Sequence, residues 1–421
     1  MQSEIVESVQ HAVTPHECMD MYYPGKENSE GQCFPSTVEN RFYVGLPSLS
    51  SGGSSTIIFN PDQGLSDIVL TAQLPTYSGS GTLYQGWALP RGWLYNMIDT
   101  IALRVGGSSL YYFTWDQLLI DILSECEDSG KKNAVLALGG AELLQQSQFQ
   151  SVANVTAYAY IKLPFNTISA LQKTLPLPTD LLTQPVQIIV TWKQFSQVFY
   201  NANSGALSDL PSAFVSAACN FKQTHLQDTS HLLARREDMN AKALTYPLRC
   251  FPQTTFRTTV SSDGSSPVQV NLTGFRAGSL KYIDLWAVAQ SDVSGGQAFN
   301  LVPIQSALLS VNGLVYYSAI EGGSQLWALC DRKTPATVDS TVLTGGSPAV
   351  ASTKSMAWTV VPFGQIDQPQ AFANELALGL PIMNSVVNLS VVLPAGTYVL
   401  SASYHYAASL MFSRGSAEYV F

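Results

Sequence analysis

The sequence is dominated by short runs in which apolar and polar residues alternate, and each run ends in glycine, proline, serine or asparagine. Such runs lie at Ala157–Leu163, Val186–Trp192, Val268–Leu272 and Ile283–Ala289. Alternation with a period of two is typical of β-strands, and the residues between the runs are turn formers. A chain with about twenty such strands and two or three helices is a sandwich or a barrel.

One longer run shows the alternation most clearly. In Tyr398–Tyr406, one face holds Leu400, Ala402, Tyr404 and Tyr406, and the other holds Ser401, Ser403 and His405. Two other segments have helical spacing instead. Trp115–Cys126 has an apolar stripe at i, i+3, i+4, i+7 and i+8, and Thr114 and Gln117 predict a capping box at its start. A polar helix is predicted to begin at Asp228 and to run through Arg236.

Two weak internal matches recur at nearly the same spacing. Residues 101–107 (IALRVGG) resemble residues 307–313 (ALLSVNG), and residues 160–165 (YIKLPF) resemble residues 358–363 (WTVVPF). Together they predict two similar β-domains in tandem, with a seam between Val190 and Thr245 near the polar helix. Within the first match, Asn312-Gly313 predicts a type I′ hairpin turn.

Charge is scarce and unevenly placed. Only 12% of the residues are charged, against ~25% in typical soluble domains. The net charge is −9, and residues 1–40 hold seven carboxylates against one lysine. The composition argues against disorder and against nucleic-acid binding, which needs a basic surface. It leaves open whether the neutral surface is covered by other subunits or belongs to a plain neutral β-protein.

Neither a targeting segment nor a disulfide framework is indicated. The N-terminus is acidic, and no run reaches the ~18 apolar residues of a membrane span. The six cysteines form no CxxC pair, which favours reduced thiols, with a bridge between Cys18 and Cys33 left open. The glycosylation sequons at Asn154, Asn271 and Asn388 are interpreted as chance.

No enzyme motif is present, and we predict no catalytic, cofactor-binding or metal site. Three clusters of reactive side chains were weighed: His11 and His16 with Glu17, Cys18 and Asp20; His225, Asp228, Ser230 and His231; and Glu125, Glu127 and Asp128. The first is a candidate metal site or a solvated tail. The second is interpreted as a helix cap, because a catalytic triad draws its members from separate elements. The third follows a helix C-terminus, whose dipole disfavours carboxylates, so a solvated turn is preferred over a cation site.

Several short segments occur in an order typical of one family. They are residues 65–75 (LSDIVLTAQLP), 98–107 (IDTIALRVGG), 160–165 (YIKLPF), 228–237 (DTSHLLARRE), 283–290 (IDLWAVAQ), 307–313 (ALLSVNG), 361–363 (VPF) and 398–406 (YVLSASYHY). Over residues 50–421 this order resembles the double jelly-roll major capsid proteins of eukaryotic double-stranded DNA viruses. That lineage comprises nucleocytoplasmic large DNA viruses, virophages and polinton-like viruses.

The resemblance implies an all-β fold of two tandem eight-stranded jelly rolls, with a few short helices in loops and at the connection. Residues 1–45 would form an acidic N-terminal arm, 46–227 the first jelly roll, 228–244 a connecting helix or linker, and 245–421 the second jelly roll. Residues 130–155 and 317–356 would supply the loops of an outer tower.

The resemblance also implies a function. We expect a major capsid protein rather than an enzyme, forming homotrimers that are pseudo-hexameric capsomers and tile an icosahedral shell. Its partners would be itself, neighbouring capsomers, and minor capsid and penton proteins. Contact with an internal membrane is left open, and neither a cofactor nor direct nucleic-acid binding is expected. The protein would lie in the virion after assembly in the host cytoplasm or nucleus.

Other interpretations remain open at this point. A capsid paralogue or minor capsid protein would share the fold. A carbohydrate-binding β-sandwich would use aromatic residues such as Tyr158, Tyr160, Trp192 and Trp286 as a sugar groove, although their place in alternating strands favours a core role. A β-fold hydrolase would need converging carboxylates or a nucleophile–histidine pair, and no recognisable spacing indicates either.

Overall fold

Strands occupy most of the described residues, and all but one of the strands longer than two residues fall into two successive groups of eight. The computed structural model describes residues 37–46, 52–59, 64–74, 87–106, 108–124, 129–141, 143, 156–161, 177–201, 210, 212–226, 229–294, 301–302, 304–319, 337–338, 356–357, 359–363 and 379–420. Within those ranges, no helix combines the length and the apolar character that crossing a membrane requires.

The first group forms two antiparallel sheets. Its strands are β1 (Thr37–Gly45), β2 (Ser54–Phe59), β3 (Gly64–Gln73), β4 (Ile98–Val105), β5 (Ser108–Thr114), β6 (Thr156–Ile161), β7 (Val186–Trp192) and β8 (Ser216–Leu226). One sheet has the order β1-β8-β3-β6 and the other the order β2-β7-β4-β5.

The second group repeats this plan. Its strands are β9 (Leu244–Ser262), β10 (Val268–Leu272), β11 (Ser279–Ala289), β12 (Ser306–Val311), β13 (Leu314–Ala319), β14 (Thr359–Pro362), β15 (Val387–Val392) and β16 (Gly396–Ser413). In one sheet β9 pairs with β16, β16 with β11 and β11 with β14; the other has the order β10-β15-β12-β13. A further strand, β17 (Ser416–Val420), extends from β16 as a hairpin.

Counted within each group, the strands order as 1-8-3-6 and 2-7-4-5 in both, which is the jelly-roll topology of two facing sheets. The predicted double jelly roll is therefore confirmed. The internal matches fall on equivalent strands. Residues 101–106 and 307–313 lie on the fourth strands and their turns, and residues 160–165 and 358–363 overlap the sixth strands.

The boundary of the N-terminal arm differs from the prediction. Strand β1 lies inside residues 1–45, yet it pairs with β8 from Thr37↔Leu226 to Gly45↔Ala218. Residues 37–45 thus belong to the first roll, because their backbone completes the edge of its 1-8-3-6 sheet. Residues 1–36, with Cys18 and Cys33, lie outside the described residues.

Five α-helices interrupt the strands in the described residues: α1 (Trp93–Met97), α2 (Trp115–Ser124), α3 (Ser129–Leu138), α4 (Thr229–Ala241) and α5 (Gln290–Ser294). Helix α2 confirms the predicted stripe, and α4 is the predicted connecting helix. Helix α3 corrects the prediction of a loop at the start of residues 130–155. Of the second predicted tower loop, the structure describes only the end of β13 and a short ladder between Thr337–Val338 and Met356–Ala357.

Buried side chains form two clusters that do not coincide with the two rolls. The second cluster fills the interior of the second roll with the inward residues of β11, β12, β15 and β16. The first cluster fills the first roll and also takes in residues from the opposite face of β11 and from the end of β16. The outer face of one second-roll sheet is therefore buried against the first roll.

Candidate functional site: the join between the two rolls

The first roll packs against the outer face of the second roll's 1-8-3-6 sheet, and we call this contact the join. Many of the buried polar side chains in the described residues lie at the join. Helix α2 brings the first roll to this contact because it follows β5 directly. Leu119 and Leu123, in the apolar stripe, are fully buried in the first cluster. Asp116 and Gln117, off the stripe, contact the second roll.

Asp116 is the centre of the polar contacts. Its Oδ2 accepts from Arg257 Nη2 at 2.5 Å and from Trp286 Nε1 at 3.1 Å. Its Oδ1 accepts from Thr114 Oγ1 at 2.5 Å and from the Gln117 backbone N–H at 3.1 Å. Four donors therefore hold one buried carboxylate, two from each roll, which balances the cost of removing it from water.

The side chain of Gln117 does not form the predicted capping box but reaches across the join. Its Nε2 donates to Ser403 Oγ at 2.9 Å. Beside it, Arg257 Nε donates to Ser401 Oγ at 3.3 Å. The serine face of β16 is thus the face that meets the first roll. Gln117 of the first roll bonds Ser403, whereas Arg257 of the second roll itself bonds Ser401.

Large apolar side chains surround these polar contacts. Trp286 of β11 is fully buried with its indole ring in the first-roll cluster. Leu410 and Phe412, near the end of β16, belong to the same cluster and are also fully buried. Burying side chains of this size stabilises by roughly 1.5–3 kcal/mol each, so the join binds the rolls mainly through apolar area.

Lys193 extends the network on the first-roll side. Its Nζ donates to Asn96 Oδ1 at 3.1 Å and lies 4.3 Å from the centre of the Trp115 ring. Desolvation lowers the pKa of Lys193 to about 8, and the nearby carboxylates of Asp116 and Asp99 only partly oppose that shift. The amine is therefore close to its titration point under mildly alkaline conditions.

A second buried pair lies on the same outer face. His405 Nε2 is 2.9 Å from Asp284 Oδ2, and both side chains are almost fully buried. The imidazole ring stacks on Tyr282 with ring centroids 4.1 Å apart. All three residues are on the face of the sheet opposite the second-roll interior.

The turn at the end of β16 makes a separate contact with the first roll. Arg414 and Gly415 have φ of 50° and 78°, as a type I′ turn requires. The Gly415 carbonyl accepts from the Thr183 backbone N–H at 3.0 Å. On the connecting helix α4, Arg236 Nε donates to the Asp180 carbonyl at 3.1 Å, so the linker is also tied to the first roll.

These groups hold the two rolls together and leave little for chemistry. A general base needs an oxygen or nitrogen that faces a substrate, and both oxygens of Asp116 already accept from protein donors. In the part of the chain that the structure describes, no group of three or more His, Cys, Asp or Glu side chains could hold a metal ion. The contacts described here fix one roll against the other.

Of the three clusters noted in the sequence, the structure describes only part of the second. His11, His16 and their neighbours, together with Glu125, Glu127, Asp128 and Asp228, lie outside the described residues. His225 is on β8, whereas Ser230 and His231 are on α4. Cys219 is buried in the first roll, and desolvation raises the pKa of its thiol to about 12.

Sequence reasoning did not find Asp116, Arg257, Trp286 or Gln117 as a group. One signal was present: Tyr398–Tyr406 alternates apolar residues with Ser401, Ser403 and His405, and a polar face on a central strand must meet either water or another polar surface. The sequence alone does not distinguish the two.

No protein-family model matches the sequence, and no curated protein matches it. Solved structures do match the fold. A chain in a quasi-atomic model of the PBCV-1 virus capsid matches with a TM-score of 0.61 at 11% identity, over 94% of this chain and 99% of that one. The Faustovirus major capsid protein matches with a TM-score of 0.58 at 8% identity, over 98% and 99%. The mavirus major capsid protein matches with a TM-score of 0.52 at 11% identity, over 95% and 93%.

Proposed function

We propose that this chain is a major capsid protein whose homotrimers are pseudo-hexameric capsomers of an icosahedral viral shell. The observation that carries the proposal is the pair of topologically identical jelly rolls held by a buried join. Because each chain contributes two equivalent rolls in a fixed relation, three chains in a ring present six rolls around one axis. The solved structures of similar fold are named as virus capsid proteins.

The low charge of the body fits this role. Surfaces that lie between subunits lose their water, and an unpaired charge there is costly. In the virion, its partners would be other capsomers, minor capsid and penton proteins, and any membrane that lies beneath the shell.

The native mass of the purified full-length chain tests the proposal. Light scattering should give three times the chain mass of 45.5 kDa, and negative-stain images should show hexagonal particles. A monomer at all concentrations contradicts it. Specific retention of that monomer on a glycan array would support the carbohydrate-binding alternative.

The acidic arm has a separate proposed role, in contacts between capsomers or with minor capsid proteins. Deleting residues 1–36 removes six of its seven carboxylates and spares β1, so trimers should form while shells should not. A deletion of residues 1–45 is the matched control, because it also removes the edge strand and should destabilise the first roll. Normal shells from the shorter deletion contradict this role.

A further inference from the structure

Two buried side chains of the first roll enclose the amine of Lys193. Its Nζ donates to Asn96 Oδ1 at 3.1 Å and lies 4.3 Å from the centre of the Trp115 ring. Asn96 is fully buried in α1, and Trp115 is buried at the start of α2. The amine is therefore held against a side-chain carboxamide that is shielded from water.

The backbone fixes both partners of this hydrogen bond. Ile98 of β4 pairs with Trp192 of β7, so Lys193 directly follows the pair and Asn96 lies two residues before it. The Lys193 backbone N–H also donates to the Met97 carbonyl at 2.8 Å. Because the Cγ of a carboxamide is one C=O bond (~1.23 Å) from its oxygen, the Asn96 Cγ lies no more than about 4.3 Å from Nζ. A small movement of the lysine side chain brings the two atoms to the ~3–3.5 Å at which an attack begins.

The charges around Nζ allow it to act as a nucleophile. Desolvation lowers the pKa of Lys193 to about 8, although the carboxylates of Asp116 on α2 and Asp99 on β4 raise it. Arg257 on β9 lowers it further. About a tenth of the chains then carry a neutral amine at pH 7, and a neutral, desolvated lysine amine is the form that attacks a carbonyl carbon.

We propose that Lys193 and Asn96 of the folded chain react slowly with each other to form an intramolecular amide bond. The neutral Nζ attacks the Asn96 Cγ, a proton passes from Nζ to the carboxamide nitrogen, and that nitrogen leaves as ammonia when its bond to Cγ breaks. In total, one ammonium group and one carboxamide give one secondary amide and one ammonium ion, so neither an oxidant nor a cofactor is consumed. Four donors already occupy the two oxygens of Asp116, so water carries the proton, and the reaction is slow compared with folding.

The reaction removes a charge that the fold holds at a cost. The product is a neutral amide, and the positive charge passes to an ammonium ion in water, where it is fully solvated. Holding the two groups together supplies the high effective concentration that a free amine and a free amide lack. The bond also closes a covalent loop between α1 and the end of β7, which reduces the entropy of the unfolded chain. Until the bond forms, Lys193 titrates as a free amine.

Intact-mass spectrometry and tryptic digestion of the full-length chain test the proposal. Freshly purified wild type and Lys193→Arg are kept at pH 7 and at pH 9 and sampled over time. The variant is the matched control, because arginine keeps a cation beside Trp115 but its guanidinium stays protonated and does not attack. A further sample of the wild type is kept at pH 9 in denaturing urea, where the fold no longer holds the two side chains together.

We expect the folded wild type to lose the mass of one ammonia, about ten times faster at pH 9 than at pH 7, because the neutral fraction of the amine rises about tenfold. Its digest should contain residues 92–104 joined to residues 174–222, without cleavage after Lys193. Neither Lys193→Arg nor the urea sample should contain the joined peptide. A folded wild type without the joined peptide overturns the proposal, and a loss of ammonia that is equal in Lys193→Arg belongs to another asparagine or glutamine and also overturns it.

Discussion

At the scale of single residues, Asp116 is the group on which the join depends most. Asp116→Ala removes the acceptor of both Arg257 and Trp286. The Trp286 indole N–H is then left in a fully buried contact, whereas the Arg257 side chain is 42% exposed and retains access to water. We expect the free energy of unfolding to fall by about 2–3 kcal/mol. Urea denaturation measures it, with Glu237→Ala as the control, because Glu237 is an exposed carboxylate on the connecting helix α4.

A double-mutant cycle separates the ion pair from the other contacts. If Arg257→Ala alone and Asp116→Ala alone cost the same as the double variant, the pair acts as a unit. Strictly additive losses would show that Asp116 acts through its contacts with Thr114 and Trp286 instead, and would contradict the central role given to the ion pair.

Lys193 should make the stability of the protein depend on pH. Its folded pKa of about 8 lies below the ordinary lysine value of 10.5, so between these values the unfolded chain binds a proton that the folded chain does not. Stability therefore rises with pH in this window, by at most about 1.4 kcal/mol per pH unit. Below pH 8, the folded protein bears the full cost of the buried charge.

Comparing the wild type with Lys193→Met isolates this effect. Ionisation of the buried Cys219 thiol and of tyrosines contributes to both proteins and cancels in the difference. Both free energies of unfolding are measured from pH 7 to pH 10. The value for the wild type should increase relative to the value for Lys193→Met as the pH rises. A difference that is constant across the range would contradict a depressed Lys193 pKa.

The sequence determines which residues share a face but not what covers that face. The alternation in Tyr398–Tyr406 correctly separates Tyr404 and Tyr406 from Ser403 and His405. The partner of Ser403 is Gln117, 286 residues away. Polar side chains on a strand are normally solvated, so no local pattern could predict that this face is buried.

At the scale of elements, two hairpin turns offer a matched test of the second contact between the rolls. Gly313 and Gly415 are the second residues of similar turns, with φ of 82° and 78°. A Cβ at Gly313 meets nothing within 4 Å, whereas a Cβ at Gly415 collides with the side chain of Thr183 in the first roll.

Both alanine variants carry the same backbone strain, about 1 kcal/mol for a positive φ. Gly415→Ala should be less stable than Gly313→Ala by a further 1–3 kcal/mol or so, because it also overpacks the contact with the first roll. Urea midpoints of the two variants measure this. Equal urea midpoints would contradict a tight packing contact between the turn at Gly415 and the first roll.

The elements with strong local signals were the ones that the sequence predicted. The stripe of α2, the polar helix α4 and the turn at Asn312-Gly313 depend on contacts within a few residues. Strand β1 was not predicted because its segment was assigned to the arm by its charge. Its partner strand β8 lies about 180 residues further along the chain, so no local pattern indicates the pairing. Helix α3 begins at Ser129-Gly130, and glycine there predicts a loop.

At the scale of the whole molecule, the join makes the second roll dependent on the first. The second roll has its own interior cluster, as a separate domain would. The outer face of its 1-8-3-6 sheet, however, is buried only as long as the first roll is folded, because Trp286, Leu410 and Phe412 belong to the first-roll cluster. Exposing these three side chains costs several kcal/mol, which is comparable to the stability of a typical domain.

We therefore expect the two rolls to unfold in one transition. Hydrogen exchange followed by mass spectrometry along a urea series should give the same midpoint for peptides from β7 and from β15, which lie in the sheets that do not form the join. Phe412→Ala, within the join, should lower both midpoints together, since the cavity weakens the contact that couples the rolls. Leu389→Ala, inside the second roll, is the matched control for the loss of a buried side chain. If the β15 midpoint falls in either variant while the β7 midpoint stays unchanged, the rolls are independent, and the join could not hold them in the fixed relation that a six-roll ring requires.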